Sequence, residues 1–374
     1  MPKRILYNVN IPRFFVSHRL PLALAAQSAG YDVHITTADT DPENMDIIKQ
    51  RGLPFHPLPL AQHGTNPVTE IQTIRAMVKL YRDLAPDLVH HVSIKPVIYG
   101  GIAGRITRVP AIVGAMSGLG RVFSDDNSKA KMLRQIVRPL FKLALSHPNT
   151  SMIFQNPDDK QAFITMGLIA ENRTELIRGS GVDLDIFTPQ PEPDGKPVIL
   201  FAGRLMWKKG VAEFVASARQ LHSQARFVIV GYTEATSPDT VPIEQLQAWA
   251  DEGIIEWWGK RDDMPDVFAQ SHIVCLPSSY GEGVPKVLIE ASACERPIVA
   301  TDTAGCREIT LNGENGLLFP VGDIDALVEA LETLIDSPDL RQKMGKRGRD
   351  IVQAGFSLRH VTSQTLALYE QLLL

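Results

Sequence analysis

Two stretches of this 374-residue chain combine residue types that could handle a phosphate and a sugar. The first, Gly203-Arg204-Leu205-Met206-Trp207-Lys208-Lys209-Gly210, comes after an apolar run at 198–201 and precedes a helical pattern. Glycine lets backbone approach an anion closely, a helix start offers free N–H groups and a positive dipole end, and arginine can grip phosphate oxygens in a bidentate fork. Lys209 would add a compact second charge. A solvated basic loop has the same composition, so this stretch decides nothing alone. The second, Ser278-Ser279-Tyr280-Gly281-Glu282-Gly283-Val284-Pro285-Lys286-Val287-Leu288-Ile289-Glu290-Ala291, comes after the apolar run 273–276. Pro285 suits the first position of a helix, because it lacks the N–H that would be orphaned there. Glu282 then sits in the loop, and Glu290 lies roughly 7 Å further along the helix axis. An acid inside so apolar a helix is costly to bury without a partner. Glu290 is therefore either ligand-binding or one half of a salt bridge; one carboxylate could meet a sugar and the other a ribose.

The elements that must position these residues have a βαβ rhythm. Short apolar runs at 5–9, 33–36, 88–91, 111–115 and 152–154 alternate with helical patterns at 17–29, 66–84, 96–106, 128–145 and 157–166. The first half is thus one doubly wound parallel sheet. A Pro-rich stretch at 188–197 predicts an interdomain linker between an N-terminal domain of residues 1–187 and a C-terminal domain of 198–355. Past that linker the alternation restarts with runs at 198–201, 227–230, 254–258, 273–276, 298–300 and 317–319. Residues 356–374 carry Leu358, Val361, Leu366, Leu368 and Leu372 with no strand beside them, which predicts a helix crossing back onto the first domain. The fold class is α/β, with two parallel sheets facing a cleft and ligands beyond the carboxyl ends of the strands. Neither half opens on GxGxxG or GxxxxGK[ST], which argues against a dehydrogenase and a P-loop nucleoside triphosphatase.

Composition narrows the rest. With 44% hydrophobic and 21% charged residues the chain matches globular averages. Cys275, Cys294 and Cys306 form neither a disulfide framework nor a Cys-rich zinc site. No apolar run approaches the roughly 20 residues of a membrane span, so a soluble or peripheral protein is expected. Residues 1–175 hold 20 Lys and Arg against 14 Asp and Glu, whereas the remainder holds 18 against 28. A basic first half facing an anionic partner or surface is one reading of that asymmetry.

Glu282 and Glu290 form an E-x7-E pair, and together with the upstream Gly-Arg-Leu and Lys-Lys-Gly the chain resembles glycosyltransferase family 4. Further matching stretches lie at 14–21, 86–91, 117–123, 179–183 and 297–302, so the resemblance spans nearly the whole chain. It implies a GT-B fold of two Rossmann-like domains, a nucleotide-sugar donor held by the C-terminal domain, an acceptor held by the N-terminal one, and retention at the anomeric carbon. It also implies no metal and no cofactor. Arg204 and Lys209 would replace a magnesium ion at the departing diphosphate, and Glu282 would contact the donor sugar. Glu290 would hold the ribose hydroxyls. Gly203, Gly283, Val284 and Pro285 would shape the donor site, with the amides of Gly283 and Val284 on sugar or phosphate and Arg261 beside the base. No protein nucleophile is implied.

Two departures point to a branch of the family. Ser117 stands where a histidine often precedes the Gly-Leu-Gly loop, and Lys286 stands where many relatives carry Asn. Both resemble enzymes that extend undecaprenyl-diphosphate-linked sugars, and an N-acetylgalactosaminyltransferase is the nearest expectation. His90 and His91, at the end of a strand facing the cleft, are candidate acceptor contacts, with simple packing as the alternative. The 128–145 segment independently reads as a basic amphipathic helix, with Lys129, Lys131, Arg134, Arg138 and Lys142 as its only charges. His91, Ser117, Arg121, Lys129 and Lys131 are accordingly the candidate acceptor residues. The expected partners are a UDP-sugar, a lipid-diphosphate-linked saccharide and the inner face of the cytoplasmic membrane, with no nucleic acid. Rival expectations are another donor, a soluble acceptor, or a nucleotide-sugar 2-epimerase.

Overall fold

The computed structural model describes residues 1–60, 66–118, 128–234 and 237–374, with the backbone alone for 128–131. The chain divides into two compact units, Met1–Ser180 with Leu358–Leu374, and Gly181–Ser357.

Unit 1 is built on a seven-stranded sheet in the order β3-β2-β1-β4-β5-β6-β7, every neighbouring pair parallel. Its strands are β1 (Arg4–Val9), β2 (Asp32–Ala38), β3 (Phe55–Leu58), β4 (Leu88–Val92), β5 (Ala111–Ala115), β6 (Thr150–Phe154) and β7 (Thr174–Leu176). The central strands are buried on both faces, as parallel strands covered by helices must be. Alternate residues serve opposite layers. Ile5 and Tyr7 pack with Phe15 of α1 (Pro12–His18), Leu22 of α2 (Leu20–Ser28) and Tyr369 of the C-terminal helix. Leu6 and Val89 pack on the other side, with Met77 and Tyr81 of α4 (Pro67–Leu84) and Ala103 of α5 (Gly101–Thr107). The helix expected at 17–29 is in fact two, because Pro21 stands at the second position of α2 and cannot continue a helix from α1. Between α2 and α4, α3 (Pro42–Gln50) leads into β3. Helix α6 (Ser128–Leu145) packs through Val137 and Phe141, and α7 (Pro157–Thr165) through Phe163.

Unit 2 carries a six-stranded parallel sheet in the order β10-β9-β8-β11-β12-β13. These are β8 (Val198–Arg204), β9 (Arg226–Tyr232), β10 (Glu256–Trp257), β11 (Ile273–Leu276), β12 (Ile298–Thr301) and β13 (Gly316–Phe319). Strand order reverses at β8, whose neighbours are β9 and β11, so the crossovers leave in opposite directions and open a crevice at the strands' carboxyl ends. The 188–197 stretch is no linker. Arg296 donates to the carbonyls of Gln190 and Pro191 at 2.9 and 3.3 Å, and Arg341 pairs with Glu192 at 2.8 Å, which fixes the stretch to unit 2. The chain instead leaves unit 1 at Gly179-Ser180-Gly181, where both glycines take positive φ, 71° and 79°. It returns at Leu358, the start of a helix (Leu358–Leu373) that completes the core of unit 1.

Candidate active site

In unit 2 the crevice is lined by the loops that leave β8 and β11. Beyond Arg204 the chain makes a 3-10 turn, Trp207–Lys209, and enters α8 (Val211–Leu221) through Gly210. Gly210 has φ 83°, and a β-carbon there would lie 2.1 Å from the Pro277 carbonyl oxygen. Only glycine allows the turn to press this closely on the end of β11. The Ser279 amide then donates to the Lys208 carbonyl at 2.9 Å, which stitches the two loops together.

This stitching places Lys209, 9% exposed, with its Nζ 2.6 Å from Glu282 Oε1. Ser278 Oγ donates to the same oxygen at 3.2 Å, while Thr301 Oγ1 holds the Ser278 carbonyl at 2.5 Å. Arg204 lies nearby, its Nη1 3.5 Å from Glu234 Oε2. Burial works against the guanidinium charge, but the Tyr280 and Tyr232 hydroxyls and the Glu234 and Glu282 carboxylates outweigh it and raise its pKa. The site is thus a cluster of fixed cations, each already facing an acid.

Past Gly283 and Val284, Pro285 is the cap of helix α9 (Lys286–Ala293) rather than its first residue. Its ψ of 118° is extended, and its carbonyl accepts the first helical bond from Leu288 at 3.1 Å. Val284 is buried beneath the loop. One turn along, Glu290 is 7% exposed and its Oε1 accepts from Lys286 Nζ at 2.9 Å. A lysine at the first helical position opposes the helix dipole, and the buried carboxylate four residues on offsets it. Both glutamates of the pair are therefore held by lysines. Sequence spacing found the acids; the i,i+4 signal for Lys286 was there to be used, whereas Ser278, Tyr280 and Glu234 carry no such signature. Arg261 belongs to the loop after β10, with its Nε 2.7 Å from Asp263 Oδ1. The Gly259 carbonyl, accepting from Gly231 at 2.8 Å, ties that loop to the end of β9. Gly203, with φ 151°, precedes Arg204 at the end of β8.

Of the candidates in unit 1, only His90, His91 and Ser117 lie wholly among the described residues. His90 and His91 do not reach the sheet's edge; each is 1% exposed, in a core on its own side of β4. His91 Nε2 lies 3.0 Å from the Tyr81 hydroxyl, and a β-carbon at Gly100 would stand 2.3 Å from that nitrogen. Burial, with His147 as a lesser cause, pushes the His91 pKa down to about 3. His90 Nδ1 meets the Tyr369 hydroxyl at 2.5 Å, and burial likewise holds its pKa well below the usual value. Both are packing residues because consecutive strand residues point to opposite, covered faces. Ser117 is half-buried in the loop after β5. Arg121 lies outside the described residues, as do the side chains of Lys129 and Lys131, whose backbone belongs to α6.

The sequence matches two family models: "Glycosyl transferase 4-like" over residues 4–156 and "Glycosyl transferases group 1" over 183–351. It is 26% identical over 369 residues to a Campylobacter jejuni N,N'-diacetylbacillosaminyl-diphospho-undecaprenol alpha-1,3-N-acetylgalactosaminyltransferase, covering 95% of each chain. An Escherichia coli UDP-Gal:alpha-D-GlcNAc-diphosphoundecaprenol alpha-1,3-galactosyltransferase is 26% identical over 310 residues, 78% of each. Anabaena HepE, solved in complex with UDP, superposes with a TM-score of 0.78 at 18% identity, over 98% of this chain and 100% of its own, which speaks to the fold. The two parallel sheets, the paired glutamates and these matches together make the chain a glycosyltransferase of family 4 with the GT-B fold.

Proposed function

We propose that this protein transfers an N-acetylhexosamine such as GalNAc from a UDP-sugar to a polyprenyl-diphosphate-linked saccharide, with retention at the anomeric carbon and without a metal. The observation that carries this reading is the Lys209–Glu282 contact beside Arg204, at the switch point of the second sheet. A departing diphosphate gathers negative charge, and preorganised cations are the groups that stabilise it. On donor binding Lys209 exchanges part of its contact with Glu282 for phosphate, freeing Glu282 to accept from a sugar hydroxyl. Glu290, held by Lys286, takes the ribose hydroxyls, and the amides of Gly283 and Val284 meet sugar or phosphate. Arg261 sits beside the base. The leaving phosphate deprotonates the acceptor hydroxyl on the same face. The activities of the Campylobacter and Escherichia relatives, both directed at undecaprenyl-diphosphate sugars, support the acceptor class.

A peripheral place on the inner face of a membrane fits the chain's surface. No helix among the described residues is long and apolar enough to cross a bilayer. Helices α4, α5 and α6 cover one face of the first sheet and expose Val68, Ile71, Ile106, Met132, Ile136 and Leu143. Arg75, Lys79, Arg82, Arg105, Arg138 and Lys142 lie exposed among them. Aliphatic side chains interleaved with cations suit an anionic bilayer surface, where the Lys129, Lys131 and Arg121 region would meet the lipid diphosphate. Incubating the protein with a panel of nucleotide sugars and a lipid-linked acceptor, then weighing the product, tests donor and acceptor together. A mass increment of an N-acetylhexosamine from the UDP-sugar alone is the expected result; turnover with no acceptor-dependent product would sink the reading.

A further inference from the structure

Arg204 faces an acid that the E-x7-E pair does not supply. Glu234 comes two residues after β9, the neighbour of β8 in the second sheet, and its Oε2 lies 3.5 Å from Arg204 Nη1. The glutamate side chain is 11% exposed against 36% for the arginine, so the carboxylate is part of the crevice wall. Its loop is fastened to the turn that carries Arg204 and Lys209. The Leu205 amide donates to the Tyr232 carbonyl and the Val241 amide to the Leu205 carbonyl, both at 2.9 Å. The Trp207 amide donates to the Asp239 carbonyl at 2.8 Å, and the Glu234 amide to Thr240 Oγ1 at 3.0 Å. Backbone bonds, and not the 3.5 Å contact alone, therefore hold Glu234 against Arg204.

With Lys209 on Glu282 and Arg204 on Glu234, the resting site sets two cations against two carboxylates. Glu282 has a use once the donor arrives, because it accepts from the sugar. Glu234 has none in that scheme, and a carboxylate beside a phosphate-gripping arginine repels the phosphate.

That repulsion differs before and after transfer. The bond from C1 to the β-phosphate oxygen breaks, the acceptor oxygen bonds to C1, and the hydroxyl proton passes to the β-phosphate. A terminal phosphate has a second pKa of about 6, so near neutral pH it gives that proton to water. UDP then carries about one more negative charge than the UDP-sugar it came from. A site of cations alone would hold the product more tightly than the substrate, and release of product limits turnover in many enzymes.

We infer that Glu234 is a release residue, a fixed carboxylate whose repulsion falls harder on UDP than on the UDP-sugar and so clears the site after transfer. This rests on the glycosyl-transfer reading and adds to it a control on product affinity.

The test titrates wild type, Glu234→Gln and Glu234→Asp by calorimetry near neutral pH, with melting curves to confirm folding. One ligand is UDP. The other is whichever of UDP-N-acetylgalactosamine, UDP-N-acetylglucosamine, UDP-galactose and UDP-glucose the wild type binds most tightly. Glu234→Gln is expected to bind UDP on the order of tenfold more tightly and the UDP-sugar by a smaller factor, roughly threefold, with both gains shrinking in high salt. Glu234→Asp keeps the charge and is expected to stay close to wild type. Unchanged or weaker UDP binding in a folded Glu234→Gln would overturn the inference and leave the donor reading standing, the weaker case marking Glu234 as a brace for Arg204. Equal gains for the two ligands would overturn it as well. A wild type that binds no UDP, or none of the four UDP-sugars, would sink the donor reading and this inference with it.

Discussion

Lys209 and Glu282 neutralise each other in the resting site, so removing either has two consequences. Lys209→Ala takes away a cation at the leaving group, for which a rate loss of about 10²–10³ is expected in steady-state transfer assays. Glu282→Ala is expected to lower transfer strongly too, with the fold intact by circular dichroism. Lys286→Met leaves the buried Glu290 without its counterion, and UDP binding measured by calorimetry is expected to weaken by about tenfold. The two glutamates were legible in the sequence because their spacing and the apolar context of Glu290 are written in it. Their lysines were only half legible. Lys209 was visible as a cation at a glycine turn, yet its approach to Glu282 depends on Gly210 meeting Pro277 across 67 residues of chain.

Strand β4 shows how an element constrains its residues. Its alternation sends His90 and His91 into two different cores, so each is held neutral. His91 binds no proton in the folded state above about pH 3, whereas an unfolded histidine titrates near 6.5. Its contribution to stability is therefore complete above pH 6.5 and is lost as pH falls towards 3, at about 1.4 kcal/mol per pH unit. Urea unfolding is expected to show a drop of about 2 kcal/mol from this residue between pH 7 and pH 5, diminished in His91→Gln. Helix α6 was legible as basic and amphipathic, but which of its apolar residues the fold leaves exposed was not. Ile136→Asp with Leu143→Asp is expected to reduce co-sedimentation with anionic vesicles at unchanged melting temperature. The helical and buried-strand pattern was plain wherever apolar runs were long. The edge strands β3 and β7 were not, because β3 contains Pro57 and β7 has three residues, and neither carries a two-sided apolar run.

At the scale of the whole chain, charge tracks the two units more closely than the two halves of the sequence. Unit 1 holds 22 Lys and Arg against 15 Asp and Glu, and unit 2 holds 16 against 27. The doubling of the α/β pattern was legible, whereas the border was not: the proline-rich stretch that looked like a linker is bound by Arg296 and Arg341, and the true crossing is two glycines. The return of the last helix was legible from its apolar positions, and Tyr369 shows its purpose, since its hydroxyl meets both His90 and Tyr7. That return also sets an order of assembly on the ribosome. Unit 2 is one uninterrupted segment and can fold as soon as residue 357 clears the exit tunnel. Unit 1 is translated first yet must wait with an unfilled core until residues 358–374 emerge, so a ribosome stalled before them would leave the older half of the protein, not the younger, to be recognised by chaperones.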